Sequence, residues 1–502
     1  MKRFFGKFAV LLLALIMCFS VCLLASCENG SGDKDGDETT DKQNDTPAKN
    51  YEVKVESNFP LGEVAFEAKS GKDGGTLYEF VVTPKVGYAV QSFKVDGTEV
   101  ALADNKAEYV LKQDATVTVE YCRKNSAELQ RRQQLVIDKI TQYVDTYFMY
   151  DKDYKYNLGS REIVLKAGKL HGGLPYTAYS SISPDVFLDF AVSKDNKGIY
   201  TLSFPMGNDP FYWGGSCGNA SYWAWATISS TIRFSYSRDM IEKNGVYTVG
   251  VWEYDPETDI KSGLWQDTVD ICNRNTIDVM AEAYAMMNKG DAMQYNSEAG
   301  GNHVVTVTEV RVIRNKNGKI NPTNSYVRLS DQHGGYKERA GHDGTYVYSS
   351  CDLNSKLTFA QVFKKGYLPM TCIELLDDST PIAKAEFKES VEASKLNKRY
   401  VTSGYVETNY AITKVVMVIT DANGAEVYKA TRYGLEHSPA RLAYSLFTSN
   451  DYKNKYDKVE HTGTYNDKLD LTALPTGKLR CVVTAHVSNG ESSVVRDFTF
   501  DN

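Results

Sequence analysis

The sequence predicts a multidomain α+β protein, with a mixed helix-and-strand centre between two β modules. Three observations lead there. The chain has 502 residues, enough for about three domains that each bury a core. Short alternating runs broken by Gly, Pro and Asp-Gly turns fill residues 51–122 and return over 379–502. Between them, over 123–378, helical spacing alternates with strand-like runs. An apolar content of 42% and a charged content of 24% suit a globular protein. The net charge of −7 argues against a nucleic-acid partner, which needs a basic face. The 34 tyrosines serve either as contacts for sugars and peptides or simply as strand formers.

Residues 1–27 read as an export signal. Lys2, Arg3 and Lys7 precede the apolar run FAVLLLALIMCFSVCLLA. The run ends in LASC, residues 24–27, which resembles a bacterial lipobox. That resemblance implies that Cys27 carries a lipid, that the membrane is a partner through it, and that the mature protein sits outside the cytoplasm at the cell surface. An ordinary signal peptide or an uncleaved membrane helix is the other reading. Residues 28–50 hold seven acids, three lysines and no large apolar side chain, so a disordered acidic tether is expected. No other stretch approaches the ~20 apolar residues of a membrane span. Of nine cysteines, Cys18, Cys22 and Cys27 belong to this leader. The other six, at 122, 217, 272, 351, 372 and 481, contain no CxxC pair, so neither a zinc ribbon nor a disulfide scaffold is predicted.

Within 51–122 the runs YEVKVES, LYEFVVTP, QSFKVDGTEV and ATVTVEY read as strands. The stretch FVVTPKVGYAVQSFKVDGTEV resembles the internalin-type B-repeat of bacterial surface proteins, which implies a spacer or binding module with no chemistry of its own. A helix follows: Asn125 and Glu128 have capping-box spacing, and Leu129, Val136, Ile140, Val144 and Tyr147 recur near helical spacing. Further helices are expected over 221–230 and 267–289, the latter stopped by Gly290. HVVTVTEVRVI and SYVRLSD read as strands. In the last segment two runs carry Asn-Gly hairpin turns, at 423–424 and 489–490. Their spacing suggests an immunoglobulin-like sandwich. GYVETNYAITKVVMVITDANG resembles the β-sandwich modules attached to bacterial cell-wall hydrolases.

The chemistry centres on YWGGSCGNASYWAWATIS, residues 212–229. Ala220, Trp223, Ala224, Thr227, Ile228 and Thr231 share one helical face, so a buried helix starting near Gly218 is expected. Its unpaired first-turn N–H groups point back at Cys217 and bring partial positive charge there. A helix N-terminus and a nearby imidazolium lower a thiol's pKa. Cys217 is therefore either a small packing residue or a nucleophile. Ser216 and Ser221 are further hydroxyl candidates without independent support.

A second stretch bears on that choice. GDAMQY, a glycine-rich turn and then HVVTV resemble the Gly-Asp strand and histidine-headed strand of the NlpC-type and CHAP-type cell-wall hydrolases, members of the papain-like superfamily. The resemblance covers residues 212–333. It implies a papain-like central domain in which His303 is general base to a nucleophilic Cys217, with no cofactor. In that arrangement the next strand, SYVRLSDQH, ends in the group that orients the imidazole. Asp331 fits best, because Val327, Leu329 and Asp331 share one strand face. Gln332 and His333 are alternatives. Tyr212, Trp213, Gly214 and Gly215 resemble the Tyr-x-Trp-Gly-Gly lead-in of NlpC-type enzymes, which places them at the substrate. The Asp-Cys-Ser-Gly core of that family is missing, and papain's oxyanion glutamine has no counterpart, since position 211 is Phe211. GGLPYTAYSS, from Gly172, is either a substrate wall or core. His333 and His342 lie in a loop-like run without metal-site spacing, and no metal is expected. The expected activity is hydrolysis of amide bonds in peptidoglycan peptides, or else in surface and extracellular proteins. The rival is a non-catalytic adhesin whose papain-like domain is inactive.

Overall fold

A computed structural model describes residues 49–177, 180–204, 213–298, 301–391, 400–434, 441–447 and 474–502. Cys27 and most of the expected tether lie outside these residues. The protein is β-rich and built from several sheets, and the helices among the described residues lie in the centre.

The N-terminal module has two sheets. One is four-stranded, in the order Val53–Ser57, Ala115–Arg123, Tyr88–Val95, Thr98–Glu99. The other is three-stranded, in the order Gly62–Lys72, Gly75–Pro84, Lys106–Leu111. Strand alternation sends Tyr78, Phe80 and Val82 inward, where Phe80 meets Phe93 at 5.5 Å between ring centroids. The module does not float. Arg123, at its last strand's end, donates to Asp291 at 3.3 Å and to the Leu375 carbonyl at 3.0 Å, and the buried apolar cluster runs on unbroken into the centre.

The helix that follows is Ala127–Asp145. Its cap differs from the expected one. Ser126, not Asn125, accepts from the Leu129 N–H, and Glu128 pairs with Arg131 and Arg132 instead of closing a capping box. Two guanidiniums, three and four residues ahead, outcompete a single backbone N–H for that carboxylate.

The centre is a ten-stranded mixed sheet. Its order is Ala191–Lys194, Tyr200–Leu202, Tyr147–Tyr150, His171–Gly172, Tyr346–Thr358, Tyr326–Ala340, Asn302–Arg311, Ala292–Asn296, Leu368–Cys372, Val246–Thr248. From Tyr346–Thr358 onward every neighbour is antiparallel. Two strands matter below: Asn302–Arg311, the histidine strand, and Tyr326–Ala340, the carboxylate strand.

The cysteine helix, Cys217–Trp225, packs on these strands and on Ala127–Asp145. It begins one residue earlier than expected and stops well short of Ser230. Its indoles explain how it is held. Trp223 Nε1 donates to Ser181 Oγ at 3.0 Å, and Trp225 Nε1 to the Gly290 carbonyl at 2.7 Å. The second long helix, Thr268–Ala285, starts at the N-cap Asp267, whose carboxylate accepts from the Val269 and Asp270 N–H groups. Thr276, at φ +63°, kinks it, and it ends four residues before Lys289.

The C-terminal module is a two-sheet sandwich. Phe387–Val391, Tyr400–Thr408 and Arg441–Phe447 form one sheet. Glu426–Tyr433, Ile412–Thr420, Lys478–Val487 and Ser492–Asp501 form the other. Val406, Val415, Ile419, Cys481, Val483 and Ala485 fill the space between. The two hairpins turn at Gly424 and Gly490 with φ +83° and +87°, as the Asn-Gly signals anticipate.

Trp225→Phe tests how the cysteine helix is seated. The loss of one indole N–H leaves the Gly290 carbonyl without its partner, so stability should fall by about 2 kcal/mol, read from denaturant unfolding.

Candidate active site

Local sequence decides where Cys217 goes. Ser216 is the N-cap, and its N–H and hydroxyl both reach Asn219 Oδ1, at 2.8 and 3.0 Å, which makes Cys217 the first helical residue. The segment before it is stitched down. The Gly215 N–H donates to the Pro175 carbonyl, and the Thr177 and Ile182 N–H groups donate to the carbonyls of Gly215 and Gly214. A Cβ on Gly214 would stand 2.0 Å from the Pro175 carbonyl oxygen, and one on Gly215 would stand 2.1 Å from the Tyr143 hydroxyl. These glycines permit close backbone packing.

The histidine and carboxylate strands are paired from Arg311–Tyr326 as far as Thr306–Ser330, and there the ladder ends. Past that pair the Val304 N–H donates to Cys217 Sγ, so the thiol stands where the strands part. His303 lies one residue further along the parted strand. Its Nε2 is hydrogen-bonded to Asp331 Oδ2, and its ring is within hydrogen-bonding reach of the Cys217 thiol. With Nε2 taken by the carboxylate, Nδ1 is the nitrogen left for sulfur. Asp331 can do this because the alternation of Val327, Leu329 and Asp331 survives. The register slip opposite them falls in the neighbouring strand, near Asn354, which adopts φ +53°.

The other candidates for the orienting group go elsewhere. Gln332 Nε2 donates to the Leu174 carbonyl at 2.7 Å. His333 Nδ1 accepts from the Gly335 N–H, and its Nε2 stands 3.6 Å from Asp352. The Ser221 hydroxyl is spent on Thr306, at 2.9 Å. Of the expected substrate residues, Tyr212 lies outside the described residues. Trp213 is 3% exposed, its ring packed on Phe190 and Phe204. Tyr176, in GGLPYTAYSS, bridges to Gly215 and is half-buried beside the thiol.

The electrostatics shift the two groups in opposite directions. Burial on its own would raise the Cys217 thiol. The imidazolium charge, its hydrogen bond and the Val304 N–H outweigh burial, and the thiol falls below its ordinary value. Burial would lower His303, but the thiolate and the Asp331 carboxylate hold the imidazole well above its ordinary value. Each shift favours the charged form of its group, thiolate at Cys217 and imidazolium at His303. The other described cysteines behave oppositely. Burial raises Cys122 and Cys372, and pushes Cys272, Cys351 and Cys481 up to about 12.

Sequence reasoning missed the Val304 N–H, and it had no signal to find it by, because any residue's backbone serves. It also missed the Tyr143 hydroxyl under Gly215 and the Tyr295 ring, 6.3 Å from that of His303. Among the described residues no group of three or more His, Cys, Asp or Glu is placed to hold a metal ion, and no helix is long and apolar enough to cross a membrane. No disulfide joins the six described cysteines.

These shifts set a labelling pattern. Near neutral pH, iodoacetamide followed by peptide mapping should modify Cys217 and leave the other five described cysteines unmodified. His303→Ala removes the charge that lowers the thiol, so the inflection of the alkylation rate should move up in pH. Equal labelling of all six at one rate would contradict the geometry.

No family model matches the chain, and no curated protein matches it. Among solved structures it is similar to the crystal structure of a tetra-tandem repeat in the extending region of a large adhesion protein, at 10% identity over 88% of this chain and 74% of that one. The TM-score is 0.17, too low for the likeness to carry an argument about fold or activity.

Proposed function

We propose that this protein is a cysteine hydrolase with a papain-like central domain, cutting amide bonds, with peptidoglycan peptides as the substrate. The observation that carries the reading is the meeting of Cys217, His303 and Asp331 at the parted strands, with the thiol lowered and the imidazole raised. A packing cysteine needs neither an imidazolium nor an oriented carboxylate.

In this reading the Cys217 thiolate adds to the substrate carbonyl carbon, and the carbonyl π electrons move to oxygen. The Cys217 N–H, in the unpaired first turn of its helix, donates to that oxyanion. Collapse breaks the C–N bond as imidazolium His303 gives its proton to the leaving nitrogen, which departs as an amine. His303, now neutral, takes a proton from water. The hydroxide formed adds to the thioester carbonyl, and the carboxylic acid leaves as the thiolate and imidazolium are restored. Asp331 keeps the ring oriented and stabilises its charged form. No cofactor enters. The wall peptides are favoured by the lipobox at Cys27 and by the resemblance of the histidine strand and its Gly-Asp neighbour to wall hydrolases.

Purified protein should release new amino termini from sacculi, followed by mass spectrometry, and not from denatured protein. Cleavage of the protein alone would move the substrate to polypeptides, and cleavage of neither would favour the adhesin reading. Cys217→Ala should abolish turnover, and His303→Ala should reduce it by about 10³-fold or more. Asp331→Asn should cost less than either, since an amide still orients the ring.

The pH–rate profile should be bell-shaped. The thiolate–imidazolium pair forms as Cys217 loses its proton, below an ordinary thiol's range, and is lost as His303 deprotonates, above an ordinary imidazole's range. Cys27→Ala should release the protein from the membrane fraction, as fractionation of cells would show.

A further inference from the structure

The C-terminal sandwich touches the central domain at two places that matter to Cys217. The first is ahead of it. Tyr433 ends the strand Glu426–Tyr433, and its ring meets that of Trp213 edge-on, at 6.0 Å and 88°, and that of Phe190 at 5.2 Å. Trp213 stands four residues before Cys217. Phe190 and Phe204 cover other parts of the same indole, at 4.2 and 5.9 Å. The second is behind. Ser488, in the turn after Lys478–Val487, donates its hydroxyl to the Ala226 carbonyl at 2.6 Å. Ala226 follows the last residue of the cysteine helix, where carbonyls lack intrahelical partners. Ser488 is itself fixed to the sandwich, its N–H donating to the Ala411 carbonyl at 2.9 Å. Lys414–Asp189 at 2.5 Å, and Arg233 donating to the Asn409 carbonyl at 3.2 Å, flank the two contacts.

We propose that Tyr433 and Ser488 are positioning residues: the C-terminal sandwich grips both ends of segment 213–226 and thereby holds Cys217 against His303. The inference rests on the hydrolase reading and deepens it. A nine-residue helix is a rigid rod of about 13 Å. Fixing its far end and the approach to its near end leaves the first residue no freedom to slide or tilt. The Cys217 contacts with the His303 ring and the Val304 N–H are hydrogen bonds, which weaken steeply with misalignment. Among the described residues the backbone groups of Gly214 and Gly215 bond to residues 175–182, and the aromatic contact adds a hold on the Trp213 side chain. The sandwich is thus part of the nucleophile's mounting. The two ends contribute unequally, because Trp213 is close to the sulfur and Ala226 is a helix length away.

The test measures the iodoacetamide alkylation rate of Cys217 against pH in the full chain, with thermal unfolding as the check on folding. Tyr433→Ala should slow alkylation at neutral pH by about tenfold and move its inflection to higher pH, because a displaced thiol loses the imidazolium. Ser488→Ala should slow it by about threefold. Tyr433→Phe, which keeps the ring, should stay close to the wild type. A fast wild-type thiol with unshifted profiles in Tyr433→Ala and Ser488→Ala overturns this inference and leaves the hydrolase reading standing. An unreactive Cys217 in the wild type overturns the hydrolase reading, and this inference with it. If Tyr433→Ala does not fold, the single hydroxyl lost in Ser488→Ala decides.

Discussion

The burial of an ionisable thiol is the constraint around which the centre of this protein is arranged. Cys217 is 7% exposed, and taking a thiolate out of water costs several kcal/mol unless other groups solvate it. Three do so from two elements, the cysteine helix and the histidine strand. The helix N-terminus faces it along its own axis, the Val304 N–H reaches it from the edge of a parted strand, and the His303 imidazolium supplies the opposite charge. That imidazolium is buried in turn, and Asp331 offsets its cost. Remove the parting of the strands and the chain of compensation fails at its first step, because Val304 would spend its N–H on the neighbouring strand.

The same logic explains why so much packing surrounds so few atoms. Ser221 to Thr306, Trp223 to Ser181 and Trp225 to Gly290 tie the cysteine helix to three separate stretches of the centre. Each is a buried polar group that needs its partner, so each is also a restraint on where the helix can sit. The modules at either end join this scheme through the same type of contact. Arg123 binds the Leu375 carbonyl, which holds the last strand of the N-terminal module to the centre, and Arg132 of the following helix binds the carbonyls of Glu374, Asp377 and Thr380. Ser488 does the like for the C-terminal sandwich.

Much of the secondary structure was legible in the sequence where the period was clean. The alternation in LYEFVVTP, the Asn-Gly turns at 423–424 and 489–490, and the start of the helix at 267–268 each have a local cause, and each stands where that cause puts it. The misses have local competitors. Glu128 found arginines before it found a backbone N–H, so the cap moved to Ser126. The cysteine helix stops at Trp225, with Ala226 in a capping turn, although apolar spacing continues to Ile228 and Thr231. Apolar spacing reports a buried face and is silent on where the backbone leaves it. The contacts that Trp213, Gly214 and Gly215 make are internal ones, to Phe190, Pro175 and Tyr143.

By itself, the sequence determined what local physics can decide: which runs alternate as strands, where the turns and helix starts fall, and that a thiol follows a glycine pair at a helix N-terminus. It also narrowed the orienting group to three neighbours, Asp331, Gln332 and His333. Only the tertiary structure shows which of them meets His303, because that depends on where the ladder between two strands ends and on which strand absorbs the register slip at Asn354. The grip of Tyr433 and Ser488 on segment 213–226 likewise belongs to the tertiary structure alone. Those contacts join residues more than two hundred positions apart, and periodicity over a dozen residues carries no information at that range.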